Sequence, residues 1–188
     1  RVKSCTPVPK GCDILAEGVY VDENHTYRYL DYRHVFTEKP NRGNLSIRLR
    51  FVNENTLRVT MAEGFFVPEN RTEMIQDMKE TECSVTCSET ENQIVMSTRC
   101  VTAVIQKNPW NLSVKNRHGE VIYRQFGKDS HSFMPYEICP MGFLFDRNTK
   151  EQYACESAWS EPYEQFYGLG ENFTSVSRKG RLFDLWNT

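Results

Sequence analysis

Between residues 45 and 61 the side chains alternate in character with a two-residue period, interrupted once by a turn. Leu45, Ile47, Leu49 and Phe51 alternate with Ser46, Arg48 and Arg50. An extended strand sends successive side chains to opposite faces, so this pattern makes one face apolar and the other wet. Asn53-Glu54-Asn55 supplies turn residues, and Leu57, Val59 and Met61 then alternate with Arg58 and Thr60 on the return. The pair is predicted to be an antiparallel hairpin. A hairpin with one apolar face must bury that face against another layer, so the rest of the chain has to supply one.

The same period recurs further on. Ile94 and Met96, then Val101, Ala103 and Ile105, lie in a stretch rich in β-branched side chains. Trp110, Leu112 and Val114 alternate with Asn111, Ser113 and Lys115; Asn116-Arg117-His118-Gly119 makes a turn. Val121, Tyr123 and Gln125 then alternate with Ile122, Arg124 and Phe126, giving a second hairpin. Gly142 to Phe145 is predicted as a short apolar strand and Glu151 to Trp159 as another. The remaining segments are less regular. Residues 1–17 hold Pro7, Pro9 and Gly11 and read as an irregular lead-in or linker. Residues 18–36 are rich in tyrosine with broken alternation, Glu38 to Asn44 is turn chemistry, and 127–140 is a loop. One helix is expected, from Pro68 to Lys79, with Asn70 as its cap, Glu73 completing a capping box and Met74, Ile75 and Met78 on one face. The expected fold is all-β: an antiparallel β-sandwich with at most one short helix, in a single domain spanning 18–188.

Composition narrows the partners. A chain of 188 residues fits one sandwich with a substantial interior. The net charge of −2 is nearly balanced, with no basic stripe for nucleic acid and no charge run for a membrane surface. No apolar run is long enough to span a bilayer. Cysteines stand at 5, 12, 83, 87, 100, 139 and 155, an odd number that cannot all pair within the chain. Leftover thiols favour a reducing cytosol, so a cytoplasmic location is expected. Asn-x-Ser/Thr sequons at Asn24, Asn44, Asn70, Asn111 and Asn172 make secretion the alternative. Cys83 and Cys87 lack a second pair, and His25, His34, His118 and His131 lack ligand spacing, so neither metal nor cofactor is expected.

The most specific segment lies near the end: Phe166-Tyr167-Gly168-Leu169-Gly170-Glu171-Asn172-Phe173, then Arg178-Lys179-Gly180, then Leu185-Trp186-Asn187. Glycine reaches positive φ without a Cβ penalty, so Gly168 and Gly170 suit a tight, shaped turn. The segment closely resembles one in glycoside hydrolase family 31, the α-glucosidase and α-xylosidase family, with the approximate pattern F-Y-G-L-G-E-x-F, R-x-G, L-W-N-x-D. Gly168, Gly170, Glu171, Phe173, Arg178 and Gly180 match its structural positions. Leu57-Arg58-Val59, Lys107-Asn108-Pro109-Trp110 and the Gly119 turn resemble looser family features.

The resemblance implies an N-terminal, galactose-mutarotase-like sandwich that precedes a catalytic (β/α)8 barrel. That barrel of the same polypeptide is then the expected partner, an α-glucoside or α-xyloside the expected carbohydrate, and the chain a piece of something longer. It also implies that Trp186 and Asn187 sit on a loop reaching the sugar pocket, although plain packing is the stronger expectation for Trp186.

Retaining glycosidases need two carboxyl groups about 5–5.5 Å apart. Glu161, Glu164 and Glu171 are the nearest candidates in sequence, but acids flanking a glycine turn serve equally well as acceptors for backbone N–H groups. In the family the catalytic pair is two barrel aspartates, so no catalytic residue is assigned here. Two rival expectations remain open. A free-standing carbohydrate-binding or protein-interaction sandwich predicts a polar surface and measurable sugar affinity. A mutarotase-like enzyme needs a facing His–Glu pair, which no local motif supports. The truncated-enzyme reading predicts an exposed apolar patch and self-association into homo-oligomers.

Overall fold

The computed structural model describes residues 1–17, 36–38, 44–65, 81–126, 128–129, 136–137, 140–146, 152–168 and 177–180. The chain divides into two compact units, Arg1–Ala158 and Trp159–Thr188. The first unit is built entirely from strands among its described residues. In chain order these are β1 (Val2–Val8), β2 (Gly11–Glu17), β3 (Phe36–Glu38), β4 (Asn44–Asn53), β5 (Thr56–Glu63), β6 (Thr86–Glu89) and β7 (Gln93–Ser97). There follow β8 (Val101–Lys107), β9 (Trp110–Asn116), β10 (Val121–Arg124), β11 (Lys128–Asp129), β12 (Tyr136–Glu137), β13 (Met141–Asp146) and β14 (Gln152–Glu156).

A four-stranded sheet runs in the order β1-β2-β4-β5, and a five-stranded sheet in the order β10-β9-β8-β7-β6. All their pairings are antiparallel. The alternation in sequence sets the register: Ile47 lies between Ile14 and Met61, and Ile105 between Ile94 and Leu112. Each apolar face therefore stays continuous from strand to strand. Cys12, Ile14, Ala16, Leu45, Ile47, Leu49 and Phe51 of the first sheet meet Ile94, Met96, Ala103, Ile105, Trp110 and Leu112 of the second in one core. Cys12 Sγ lies 3.3 Å from Met96 Sδ across the layers. This is a β-sandwich. Each fully buried Ile, Leu or Phe contributes about 1.5–3 kcal/mol relative to exposure.

Residues 1–17 correct the sequence reading. They form no irregular lead-in but the β1–β2 hairpin, with Val8 opposite Gly11 and Lys10 in the turn at φ 61°. Pro7 is tolerated because β1 is the outermost strand of its sheet, where a missing N–H breaks no inner ladder. Gly11 is required by close approach, since a Cβ there would stand 2.0 Å from the Leu49 carbonyl oxygen. The expected loop at 127–140 contains the paired strands β11 and β12, and β13 pairs with both β14 and β3. The helix expected at 68–79 lies outside the described residues, and no helix occurs among those described.

Asn108-Pro109, joined by a cis peptide bond, makes the turn between β8 and β9. The alternation fails in β10, where a register shift between Val121 and Tyr123 leaves both Val121 and Ile122 exposed. Beyond it Gln125 turns inward and is 2% exposed. Its Oε1 accepts from Trp110 Nε1 at 2.8 Å and from the Leu112 N–H at 3.2 Å, while its Nε2 has no hydrogen-bond partner among the described residues. On β2 and β4, Arg48 forks onto Asp13 at 2.7 and 2.8 Å, a bidentate pair between residues directly opposite in the ladder.

Candidate functional site

The motif near the end of the chain falls in the second unit, of which 159–168 and 177–180 are described. Two of its glycines are in the left-handed region, Gly168 at φ 95° and Gly180 at φ 72°, where a Cβ would strain the backbone although the surrounding space is open. Arg178 joins the two halves of the motif. Its backbone N–H donates to the Phe166 carbonyl at 2.7 Å and its Nε to the Gly168 carbonyl at 3.2 Å. The F-Y-G and R-x-G elements, ten residues apart, are thus held by one side chain and its own amide. Ser177 Oγ also donates to Gln165 Oε1.

The carboxylates are occupied locally. Glu164 accepts the Glu161 N–H at 2.7 Å, and the Glu161 carbonyl accepts the Glu164 N–H at 3.1 Å, closing a compact turn. Glu161 Oε1 accepts from Trp159 Nε1 at 2.9 Å. Lys179 Nζ donates to the Glu161 carbonyl and, at 3.3 Å, to Ser160 Oγ. Both acids therefore act as acceptors that shape the loop. Sequence reasoning overlooked Lys179; its only signal was its place between Arg178 and Gly180. Gly170, Glu171, Phe173, Trp186 and Asn187 lie outside the described residues. Among its described residues the unit exposes Trp159 at 43%, Tyr163 at 81%, Phe166 at 49% and Tyr167 at 66%.

One further acid–phenol pair belongs to the first unit. Tyr123 donates its hydroxyl proton to Glu156 Oε1. Burial, followed by that carboxylate, pushes the phenol well above its ordinary range, so it is a hydrogen-bond donor at neutral pH. Among the described residues no group of three or more His, Cys, Asp or Glu side chains is arranged to hold a metal ion, and no helix is long and apolar enough to cross a membrane.

Fold and motif together define an antiparallel β-sandwich module with a glycine-and-arginine-tied segment after its last strand. Comparison with known proteins gives the class its family. Residues 46–188 match the glycosyl hydrolase 31 N-terminal galactose mutarotase-like domain, and the chain belongs to that family. It is 23% identical over 186 residues to "Alpha-glucosidase 2" of Bacillus thermoamyloliquefaciens, a match covering 96% of this chain and 20% of the relative. Similar folds occur in an uncharacterized protein of Listeria monocytogenes EGD-e (TM-score 0.53, 15% identity) and in the cycloalternan-forming enzyme of Listeria monocytogenes, solved with a pentasaccharide substrate (TM-score 0.53, 14% identity). Each of these covers 90% of this chain and 14% of the matched one. The chain thus spans about a fifth or less of the length of these relatives.

Proposed function

We propose that this chain is the non-catalytic N-terminal sandwich of a retaining α-glycosidase of α-glucosidase or α-xylosidase type. It packs against a (β/α)8 barrel of the same polypeptide and, through Trp186 and Asn187, helps to wall the sugar pocket. The nucleophile and the acid/base then belong to barrel residues, and the glycosyl-enzyme intermediate forms there. Support comes from the family membership and from the α-glucosidase among its relatives.

The observation that carries the packing role is the exposed set Trp159, Tyr163, Phe166 and Tyr167. Large aromatic side chains gain most from being covered, and apolar surface left in water marks a face that meets another surface. A barrel wall would remove that surface from water.

The test compares this chain alone with the polypeptide that carries the barrel. Alone, it should leave aryl α-glucosides and α-xylosides intact and show no measurable sugar affinity by calorimetry, while the longer polypeptide turns one of them over. Turnover by a clean preparation of the chain alone would overturn the assignment of catalysis to the barrel. Millimolar or tighter sugar binding by the chain alone would instead favour a free-standing carbohydrate-binding sandwich.

A further inference from the structure

Two of the described thiols share one face of the first hairpin, a feature the proposed function does not use. Cys5 lies on β1 and Cys12 on β2. The two-residue turn puts Val8 opposite Gly11, Pro7 opposite Cys12 and Cys5 opposite Ile14. Pairing modes alternate along an antiparallel ladder. With Val8–Gly11 closing the turn as a hydrogen-bonded pair, Pro7–Cys12 is non-hydrogen-bonded, as proline's missing N–H requires, and so is Cys5–Ile14. In that row side chains on one face stand closest, and Cys5 and Cys12 are diagonal neighbours within reach of one another. On the opposing sheet Met96 touches Cys12 and stands across the ladder from Cys87.

We propose that Cys5 and Cys12 are an oxidisable pair that closes a disulfide across the first hairpin. The Cys12 thiol is fully buried, and each of the two side chains is the leading influence on the other's acidity, lowering the pKa of Cys5 and raising that of Cys12. Cys5 is half-buried and on the edge strand, so it is the sulfur a reagent reaches first.

The chemistry balances with a low-molecular-weight disulfide as oxidant. The Cys5 thiolate attacks one sulfur of that disulfide, forming a mixed disulfide and expelling one thiolate. Cys12 then gives up its proton, attacks the Cys5 sulfur and expels the second. Two protein thiols are oxidised and one disulfide is reduced to two thiols. Consumption of the Cys5 thiol also removes the leading cause that holds Cys12 protonated. A diagonal pair must draw its backbones slightly together to reach disulfide geometry. Among the described strands β1 has a neighbour on one side only, and it already shifts register between Val2 and Ser4, so it can supply that movement.

Peptide mapping tests it. The fully reduced protein is incubated under native conditions with oxidised glutathione, alkylated and digested with trypsin. Cleavage after Lys3, Lys10 and Arg28 places Cys5 on peptide 4–10 and Cys12 on peptide 11–28, while Cys83 and Cys87 share peptide 80–99. The expected product is peptide 4–10 disulfide-linked to 11–28, formed before any linkage within 80–99 and unaffected by Cys87→Ser. Cys5→Ser should abolish it. Recovery of Cys5 linked to peptide 80–99, loss of the linkage in Cys87→Ser, or recovery of alkylated Cys5 after prolonged oxidation would each overturn the proposal.

Discussion

Replacing Gln125 by methionine tests how much of the second sheet depends on one buried amide. The two side chains have similar length and volume, so the change removes polarity without opening a cavity. Trp110 Nε1–H and the Leu112 N–H both lose their acceptor, at sites where water does not enter. Stranding a buried donor costs about 1–3 kcal/mol, so two cost about 2–6 kcal/mol. The substitution also deletes the unpartnered Nε2, returning about 1–3 kcal/mol of desolvation. At a common cost per group the net loss is that of one group, about 1–3 kcal/mol. With a urea m-value of about 2 kcal/mol/M, the midpoint should fall by roughly 0.5–1.5 M.

A double-mutant cycle with Trp110→Phe identifies the cause. Phenylalanine removes the indole donor, so in the methionine background it should cost less than in the wild type by about 1 kcal/mol or more. Urea melts followed by far-ultraviolet circular dichroism measure all four corners. An unchanged midpoint for Gln125→Met, or additivity of the pair within about 0.3–0.5 kcal/mol, would refute the reasoning.

Other perturbations read separate parts of the structure. Gly11→Ala drives a methyl group against the Leu49 carbonyl and should cost about 1–3 kcal/mol in a urea melt; a loss below about 0.5 kcal/mol would show that β2 and β4 are not so closely apposed. Tyr123 has a raised folded pKa, so its contribution is full below the unfolded tyrosine value near 10 and is lost as pH rises through the folded value. Tyr123→Phe should therefore flatten the fall in melting temperature above about pH 10 relative to wild type, and parallel curves would remove the Glu156 pair as its source. Replacing Tyr163, Phe166 and Tyr167 together by serine should reduce self-association of the isolated chain in sedimentation velocity while leaving its far-ultraviolet spectrum unchanged. Equal association of both proteins would mean that this apolar set is not the adhesive surface.

The strands that bury one face were legible because burial imposes the two-residue period. Leu45–Phe51, Leu57–Met61 and Trp110–Val114 all fall where the alternation put them. The first hairpin was missed for a physical reason. Its prolines and glycine look like breakers, yet Pro7 stands at a sheet edge and Gly11 under a carbonyl, and Cys12, Ile14 and Ala16 carried the inward period all along. β6 was invisible because all four of its residues are exposed, so no burial writes a pattern into Thr86–Glu89. In β10 the shift after Val121 breaks the alternation that Val121, Tyr123 and Gln125 carry in sequence. The left-handed turn at Gly168 could be read from residue type alone, whereas the bond from Arg178 to the Gly168 carbonyl depends on a fold-back that no local spacing encodes.

The sequon at Asn111 acquires a constraint from where the structure places it. Its side-chain Nδ2 donates at 3.0 Å to the carbonyl of Gln125. That nitrogen is also the atom to which an oligosaccharide would be joined. A glycan at Asn111 leaves that nitrogen one hydrogen in place of two, so it would crowd the bond to the Gln125 carbonyl and compete with zipping of the 121–125 segment onto β9. Asn44, whose Oδ1 receives Lys3 Nζ, keeps its amide nitrogen out of that bond. Glycopeptide mapping after passage through a secretory pathway should find Asn44 occupied more fully than Asn111, and the reverse order would dismiss this competition.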